Sequence, residues 1–103
     1  MAPPEILHIH DNVSVLYGES AEIFCNVSSD LNITSVTWRK REDSEDINIA
    51  DKRKYSGGTL NNPSLTILRT DQYDEGEYRC AVSNNQGTGT GHFIPLHVTG
   101  IMS

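Results

Sequence analysis

Residues 74–80, Asp-Glu-Gly-Glu-Tyr-Arg-Cys, limit the possible folds of this chain more than any other segment. An acid, a glycine, a tyrosine and a cysteine occupy alternate positions, at Asp74, Gly76, Tyr78 and Cys80. Glycine is common in tight turns, and the side chains of a strand point alternately to its two faces. If Gly76 closes a turn and a strand follows it, Tyr78 and Cys80 share one face. We predict that this face belongs to the hydrophobic core.

Four other segments alternate in the same way between apolar and polar residues. Turn sequences rich in Gly, Asn, Asp and Pro separate them, and no segment has a convincing helical period. Short strands without intervening helices predict an all-β fold, either an antiparallel sandwich or a barrel. The further residues predicted to point inward are Ala21, Ile23, Cys25, Val27, Val36, Trp38, Leu65, Ile67, Val82, Ile94, Leu96 and Val98.

The N-terminal region is extended but less regular. Residues 5–10 and 12–16 both have strand-like sequences, and they are interrupted near Asp11. Pro3 and Pro4 can lie only at a sheet edge or before a strand, because proline cannot donate a backbone hydrogen bond. We therefore expect a first strand that changes sheets at the interruption.

The length of 103 residues fits one domain with a single core. We expect a domain over 1–103 with its core at about 4–99 and tails at 1–3 and 100–103, taken from a longer protein. A net charge of −6 argues against nucleic-acid binding, because few scattered bases are available to neutralise phosphates. The longest apolar runs are a few residues, so membrane insertion by this segment is not expected. Protein and glycan remain as partner classes.

Cysteine spacing and glycosylation motifs bear on the cellular compartment. Cys25 and Cys80 are too far apart for a CxxC redox or zinc motif, which leaves a disulfide or two buried thiols. Asn12, Asn26 and Asn32 each begin an Asn-x-Ser/Thr sequon. One such motif would mean little, because Asn, Ser and Thr are abundant here. Three in so short a chain indicate the secretory route and an extracellular location.

The order of Cys25, Trp38 and the motif at 74–80 resembles the immunoglobulin fold, and the match covers nearly the whole chain. The resemblance implies an immunoglobulin-like β-sandwich of two antiparallel sheets joined by a Cys25–Cys80 disulfide. It also implies that Trp38 packs on the disulfide and that the Tyr78 hydroxyl bonds to upstream backbone. The core positions implied are Trp38, Leu65, Ile67, Asp74, Gly76 and Tyr78.

Within that family the chain resembles the I-set found in cell-adhesion molecules, hemicentin-like matrix proteins and titin-like muscle proteins. The cysteine spacing leaves no room for a full C′–C″ hairpin, although residues 46–49 could form a short C′ strand. The resemblance pairs Asp74 with a base, Lys54 or alternatively Arg53. From the sequence we expect a solvated contact worth less than ~1 kcal/mol.

No arrangement of residues suggests catalysis or a cofactor. A serine-histidine-acid order has no positional support, and the glycines of 87–91 suit a turn between the last two strands better than a phosphate-binding loop. We interpret the histidines as exposed edge residues and the acidic segment at 42–51 as a solvated loop, so no metal site is predicted. The histidines are His8, His10, His92 and His97.

Surface recognition is the remaining function. Its candidate residues lie on the predicted strand that contains Trp38, in the loop that follows the strand of Cys80, and on the last predicted strand, and they are Arg39, Arg41, Asn84, Asn85, Gln86 and Phe93. Alternation also points Phe24 and Phe93 outward, so one of them is expected in an exposed apolar patch. The favoured function is an extracellular module for adhesion or immune recognition, which binds a protein ligand or a like domain. The alternative is a structural repeat of an intracellular muscle scaffold resembling titin, with reduced cysteines and unused sequons.

Overall fold

The computed structural model describes residues 4–7, 11–27, 32–41, 47 and 51–100. These residues form ten strands and one short 3-10 helix. The strands are β1 (Ile6–Leu7), β2 (Val13–Leu16), β3 (Ala21–Ile23), β4 (Asn26–Val27), β5 (Ser35–Lys40), β6 (Tyr55–Gly57), β7 (Leu65–Ile67), β8 (Gly76–Asn84), β9 (Gly87–Thr90) and β10 (Ile94–Thr99), and the helix spans Gln72–Asp74.

The strands form the immunoglobulin-like sandwich that the sequence predicts. One sheet has the order β2-β10-β8-β5, with β9 also paired to β8, and the other has the order β3-β7-β6. A separate pair, β1 and β4, lies where the chain leaves β3. The pairs are antiparallel except that β2 runs parallel to β10. The first strand therefore changes sheets as predicted, because β1 pairs with β4 and β2 with β10.

The core lies between the sheets and is built from the alternate residues that face inward. Cys25 and Cys80 are joined in a disulfide with their Cα atoms 6.2 Å apart. Trp38 is 1% exposed, and its indole Nε1 donates a hydrogen bond to the Pro63 carbonyl oxygen at 2.8 Å. That bond matters because an indole N–H buried without an acceptor would destabilise the core. The other buried apolar residues are Ala21, Ile23, Leu65, Ile67, Tyr78, Val82, Ile94, Leu96 and Val98.

A hydrogen-bonded corner joins the short helix to β8. The Tyr78 hydroxyl donates to the backbone carbonyl of Asp74 at 2.5 Å, while the ring stays in the core. The Asp74 carboxylate accepts the Asp71 backbone N–H at 2.8 Å and the Lys54 ammonium at 2.6 Å. Lys54, rather than Arg53, is thus the base of this pair. Asp74 is buried, so the contact is not the solvated one expected from the sequence.

The structure corrects the prediction for residues 87–91. Gly87–Thr90 forms β9 and pairs with β8 in register Asn84↔Gly87 to Ala81↔Thr90, so the turn contains only Asn85 and Gln86. Because a two-residue connection suffices for a hairpin, pairing continues through the glycines. A Cβ at Gly89 would collide with the Pro4 carbonyl oxygen, so close approach of the N-terminal segment requires a glycine here.

Two other predictions concern strand limits. The last strand begins at Ile94, one residue later than predicted, and Phe93 precedes it. The predicted C′ strand at 46–49 lies outside the described residues, except for Ile47, whose backbone N–H donates to the Trp38 carbonyl oxygen at 2.7 Å.

Candidate binding surface

The outer face of β5, β8 and β9, with the residues directly beside it, carries three of the six candidate binding residues. Trp38 and Cys80 are register partners and both point into the core, so their neighbours Arg39 and Arg79, also partners, point outward. We call this surface the arginine face. Its members are Thr37, Arg39, Arg41, Glu77, Arg79, Ala81, Thr90 and Phe93.

Phe93 lies under two arginine side chains. The guanidinium carbon of Arg41 is 4.5 Å from the centre of the Phe93 ring, and that of Arg79 is 4.6 Å away. Cation–π contacts of this kind contribute about 0.5–1 kcal/mol at exposed sites. Phe93 does face outward as predicted, but it is half-buried by these arginines and does not form an exposed apolar patch. Phe24, by contrast, is 42% exposed.

Glu77 is the only acidic residue within the strands β2, β5, β8, β9 and β10. Its carboxylate accepts from the Arg41 guanidinium at 3.0 Å, in a pair whose side chains are 60% (Arg41) and 38% (Glu77) exposed. Pairs this exposed contribute at most about 1 kcal/mol, so the pair serves mainly to orient Arg41.

The arginine face is positive on a molecule whose net charge is −6. Three of the eight Lys and Arg residues of the chain lie on it. A shallow depression between two of them has small or hydroxyl-bearing side chains at its floor and rim, and its lining residues are Thr37, Arg39, Arg79, Ala81 and Thr90. Arginine side chains of this kind donate charge-assisted hydrogen bonds to anionic groups.

The loop between β8 and β9 differs from the sequence prediction in one residue. Asn84 is 7% exposed, and its side-chain oxygen accepts the Gln86 backbone N–H at 2.8 Å. Because this side chain holds the turn from inside, Asn84 is not available as a contact residue. Asn85 and Gln86 are exposed at the tip, so their role in binding stays a prediction.

Arg79 is the member of the arginine face with a ring contact that sequence reasoning missed. The alternation that places Tyr78 and Cys80 in the core also requires the residue between them to point outward. The signal was therefore present in the sequence, but its significance depends on Arg39 lying directly opposite.

The three sequon asparagines are all exposed. Asn12 immediately precedes β2, Asn26 lies in β4, and Asn32 lies ahead of β5. None of them belongs to β5, β8 or β9, the strands that form most of the arginine face. Glycans attached at Asn26 would extend from the pair formed by β1 and β4.

The described part of the chain contains neither a metal-ligand cluster nor a membrane-spanning helix. His92 and His97 are exposed, and no group of three or more His, Cys, Asp or Glu side chains is arranged to hold a metal ion there. His8, His10 and residues 42–46 of the acidic segment lie outside the described residues. Among the described residues, no helix has the length and apolar character needed to cross a bilayer.

Comparison with known proteins defines the class to which this fold belongs. The family model of the immunoglobulin I-set domain matches residues 4–94. The I67–I69 fragment of titin superimposes with a TM-score of 0.78 and 26% identity, covering 95% of this chain and 33% of that fragment. The insect immune protein hemolin superimposes with a TM-score of 0.80 at 20% identity over 98% of this chain and 25% of hemolin, a likeness of fold alone. The chain belongs to the immunoglobulin I-set family.

Curated relatives extend this result to sequence. Mouse hemicentin-1 is 37% identical over 84% of this chain, and macrophage colony-stimulating factor 1 receptor 2 of Takifugu rubripes is 34% identical over 91%. The matched region is 1% of the hemicentin and 10% of the receptor. This chain therefore spans a small part of the length of the relatives it matches.

Proposed function

We propose that this I-set domain is a non-catalytic, extracellular recognition module that binds another protein through the arginine face. The distribution of surface features carries the proposal: the exposed sequon asparagines are not among the residues of the arginine face, which contains three arginines and Phe93. Glycans at those asparagines would cover other parts of the sandwich and leave this face accessible. Because the disulfide-bonded sandwich is rigid, the backbone of this face does not have to become ordered when a partner binds. The entropy cost of binding is therefore smaller.

The relatives by sequence support this location, since one of them is a receptor. Hemicentin-1 and a receptor for macrophage colony-stimulating factor are the curated proteins with the sequence matches given above. The exposure of Asn12, Asn26 and Asn32 is also what an oligosaccharide-modified domain requires, since a buried asparagine could not carry a glycan.

The second candidate is a structural repeat in an intracellular muscle scaffold. The 26% identity and TM-score of 0.78 with the titin fragment favour it. In that environment Cys25 and Cys80 would be reduced thiols, because the cytosol keeps cysteines reduced.

Mass spectrometry of the protein isolated from its native tissue distinguishes the two candidates. We expect a Cys25–Cys80 linked peptide under non-reducing conditions and a mass decrease after enzymatic removal of N-glycans. Asparagine converted to aspartate by the glycosidase would identify which of Asn12, Asn26 and Asn32 is used. Free thiols together with three unmodified asparagines would exclude the extracellular assignment and favour the muscle scaffold. Protein made in bacteria is unsuitable, because it carries no glycans in either case.

A further inference from the structure

Asn26 lies beside two exposed apolar side chains that the arginine face does not include. We propose that Asn26 carries an N-linked glycan and that the first N-acetylglucosamine of this glycan packs on Phe24 and Leu7. This inference rests on the proposed function, because N-glycans are attached to proteins of the secretory route. It goes beyond that function by assigning the glycan at one site a structural role.

Phe24 and Leu7 form an apolar patch at the surface. Each residue is 42% exposed, and both line the same depression, which His92 borders as well. Phe24 makes a further contact within the chain, and this contact still leaves that fraction of the residue exposed. A contiguous apolar patch is a candidate contact surface, unlike apolar residues that are exposed singly.

Strand geometry places the Asn26 side chain at this patch. Leu7 and Asn26 are register partners, so their Cβ atoms lie about 5 Å apart and both side chains point to the same side of the pair. Phe24 precedes Asn26 by two residues in a segment, 21–26, where buried and exposed residues alternate. Two residues of extended chain span about 7 Å, and residues two apart share a face. A sugar attached to the Asn26 amide therefore begins next to both apolar side chains.

N-acetylglucosamine has the chemistry that this patch requires. The C–H groups on one side of its ring and its acetyl methyl group are apolar, whereas its hydroxyl groups project from the rim. The apolar side can lie on the Phe24 ring and the methyl group against Leu7, while the hydroxyl groups stay in water. Because the glycan is covalently attached, this contact lacks the translational entropy cost that a separate partner would incur.

The neighbouring sequence distinguishes Asn26 from the other sequon asparagines. The residue two positions before the asparagine is Phe24 in this sequon, but His10 and Asp30 in the other two. Phenylalanine offers a sugar more apolar surface than either of these residues. We therefore expect a glycan at Asn26 to stabilise the folded domain more than glycans at the other two positions.

The melting temperatures of three glycoforms test the contact. The variant N12Q/N32Q of the full chain, secreted by cultured cells that make only high-mannose glycans, can be modified only at Asn26. Endoglycosidase H then leaves a single N-acetylglucosamine, and the further substitution S28A removes the sequon while keeping the asparagine. Covering on the order of 50 Å² of apolar surface corresponds to a melting temperature about 5 °C higher for a domain of this size. We expect the intact and trimmed glycoforms to melt together and the S28A form to melt about 5 °C lower.

Substitutions at the patch identify the side chain that the sugar contacts. F24A should abolish most of the difference between the trimmed and S28A forms, whereas F24Y, which keeps the ring, should retain it. The matched control is L16A, because Leu16 is also an exposed apolar residue but lies at the end of β2 beside Thr99. L16A should leave the difference unchanged. An equal loss in F24A and L16A would show a general effect on stability and overturn the contact.

NMR of the trimmed glycoform observes the contact directly. We expect nuclear Overhauser effects between the sugar protons and the Phe24 ring protons, and their absence would overturn the proposal. Sedimentation of the S28A form tests whether a second copy covers the patch instead. A dimer that F24A abolishes, together with melting temperatures that do not depend on the glycan, would make the patch an interface between copies and overturn the proposal.

Glycan occupancy separates this inference from the proposed function. A secreted chain with Asn26 unmodified would overturn the glycan site, whereas glycans at Asn12 or Asn32 of the native protein would still support the extracellular assignment. Free thiols and unmodified asparagines in the native protein would overturn the proposed function, and a contact measured in the secreted chain would still stand.

Discussion

Replacing Lys54 by methionine should destabilise this domain far more than the same replacement at its neighbour. The Lys54 ammonium lies 2.6 Å from an Asp74 carboxylate oxygen and 4.0 Å from one of Asp71. Methionine keeps the apolar stem and removes the charge. Asp74 would then retain the Asp71 backbone N–H as a hydrogen-bond donor without a compensating cation. Arg53, in contrast, has a side chain that is 91% exposed.

The burial of the two partners sets the magnitude. Exposed ion pairs contribute at most about 1 kcal/mol, and removing one partner of a fully buried pair costs about 3–5 kcal/mol. The Asp74 side chain is 8% exposed and that of Lys54 is 26% exposed, so water still reaches the cation. We therefore expect K54M to lower the free energy of unfolding by about 2 kcal/mol and the melting temperature by about 10 °C.

Chemical and thermal unfolding of K54M, D74N and the double variant would measure this interaction. Asparagine at position 74 keeps an acceptor for the Asp71 backbone N–H, so the cycle isolates the charge interaction. We expect a coupling energy of about 1–2 kcal/mol and little change in it with added salt, since a buried pair is poorly screened. The matched variant R53M should change stability by less than about 0.5 kcal/mol. An effect of K54M as small as that of R53M would refute the argument from burial.

Three other substitutions test the sandwich itself. Converting Cys25 and Cys80, separated by 55 positions, to alanine should cost about 4 kcal/mol by the loop-entropy model, as measured by denaturant unfolding of the oxidised chain and the variant. Y78F should cost about 1–2 kcal/mol, because the Asp74 carbonyl loses its buried donor, and an unchanged unfolding midpoint would contradict that role. G57A should cost at least about 1 kcal/mol more than G18A, because both glycines have a positive φ (+78° and +88°) but a Cβ would collide with a neighbouring backbone carbonyl only at Gly57, whereas at exposed Gly18 it meets no atom within 4 Å.

Strand positions and their inward faces were predictable because alternation is a local property. Tyr78, Cys80 and Val82 had to share a face once a strand followed Gly76, and the same holds for Leu65 with Ile67. The family followed from the spacing of a few such residues. This part of the fold needed no knowledge of which strands pair.

Features that join residues from different strands were decided by tertiary structure. Lys54 and Arg53 are adjacent in sequence, so the sequence alone does not say which of them pairs with Asp74. The folded chain brings the Lys54 ammonium, just before β6, to the Asp74 carboxylate at the end of the short helix. The sequence places Asn84 in a loop. In the structure it pairs with Gly87 at the end of β8, and its side chain is buried.

The arginine face depends most on strand pairing. Alternation turned Phe93 outward, but its contacts come from Arg41 and Arg79 on two other strands. The Arg39–Arg79 opposition likewise exists only in the observed register of β5 and β8, and a shift of one residue would separate the pair. Local sequence determines the direction of each side chain, whereas strand register determines which side chains meet, because register depends on packing of the whole core.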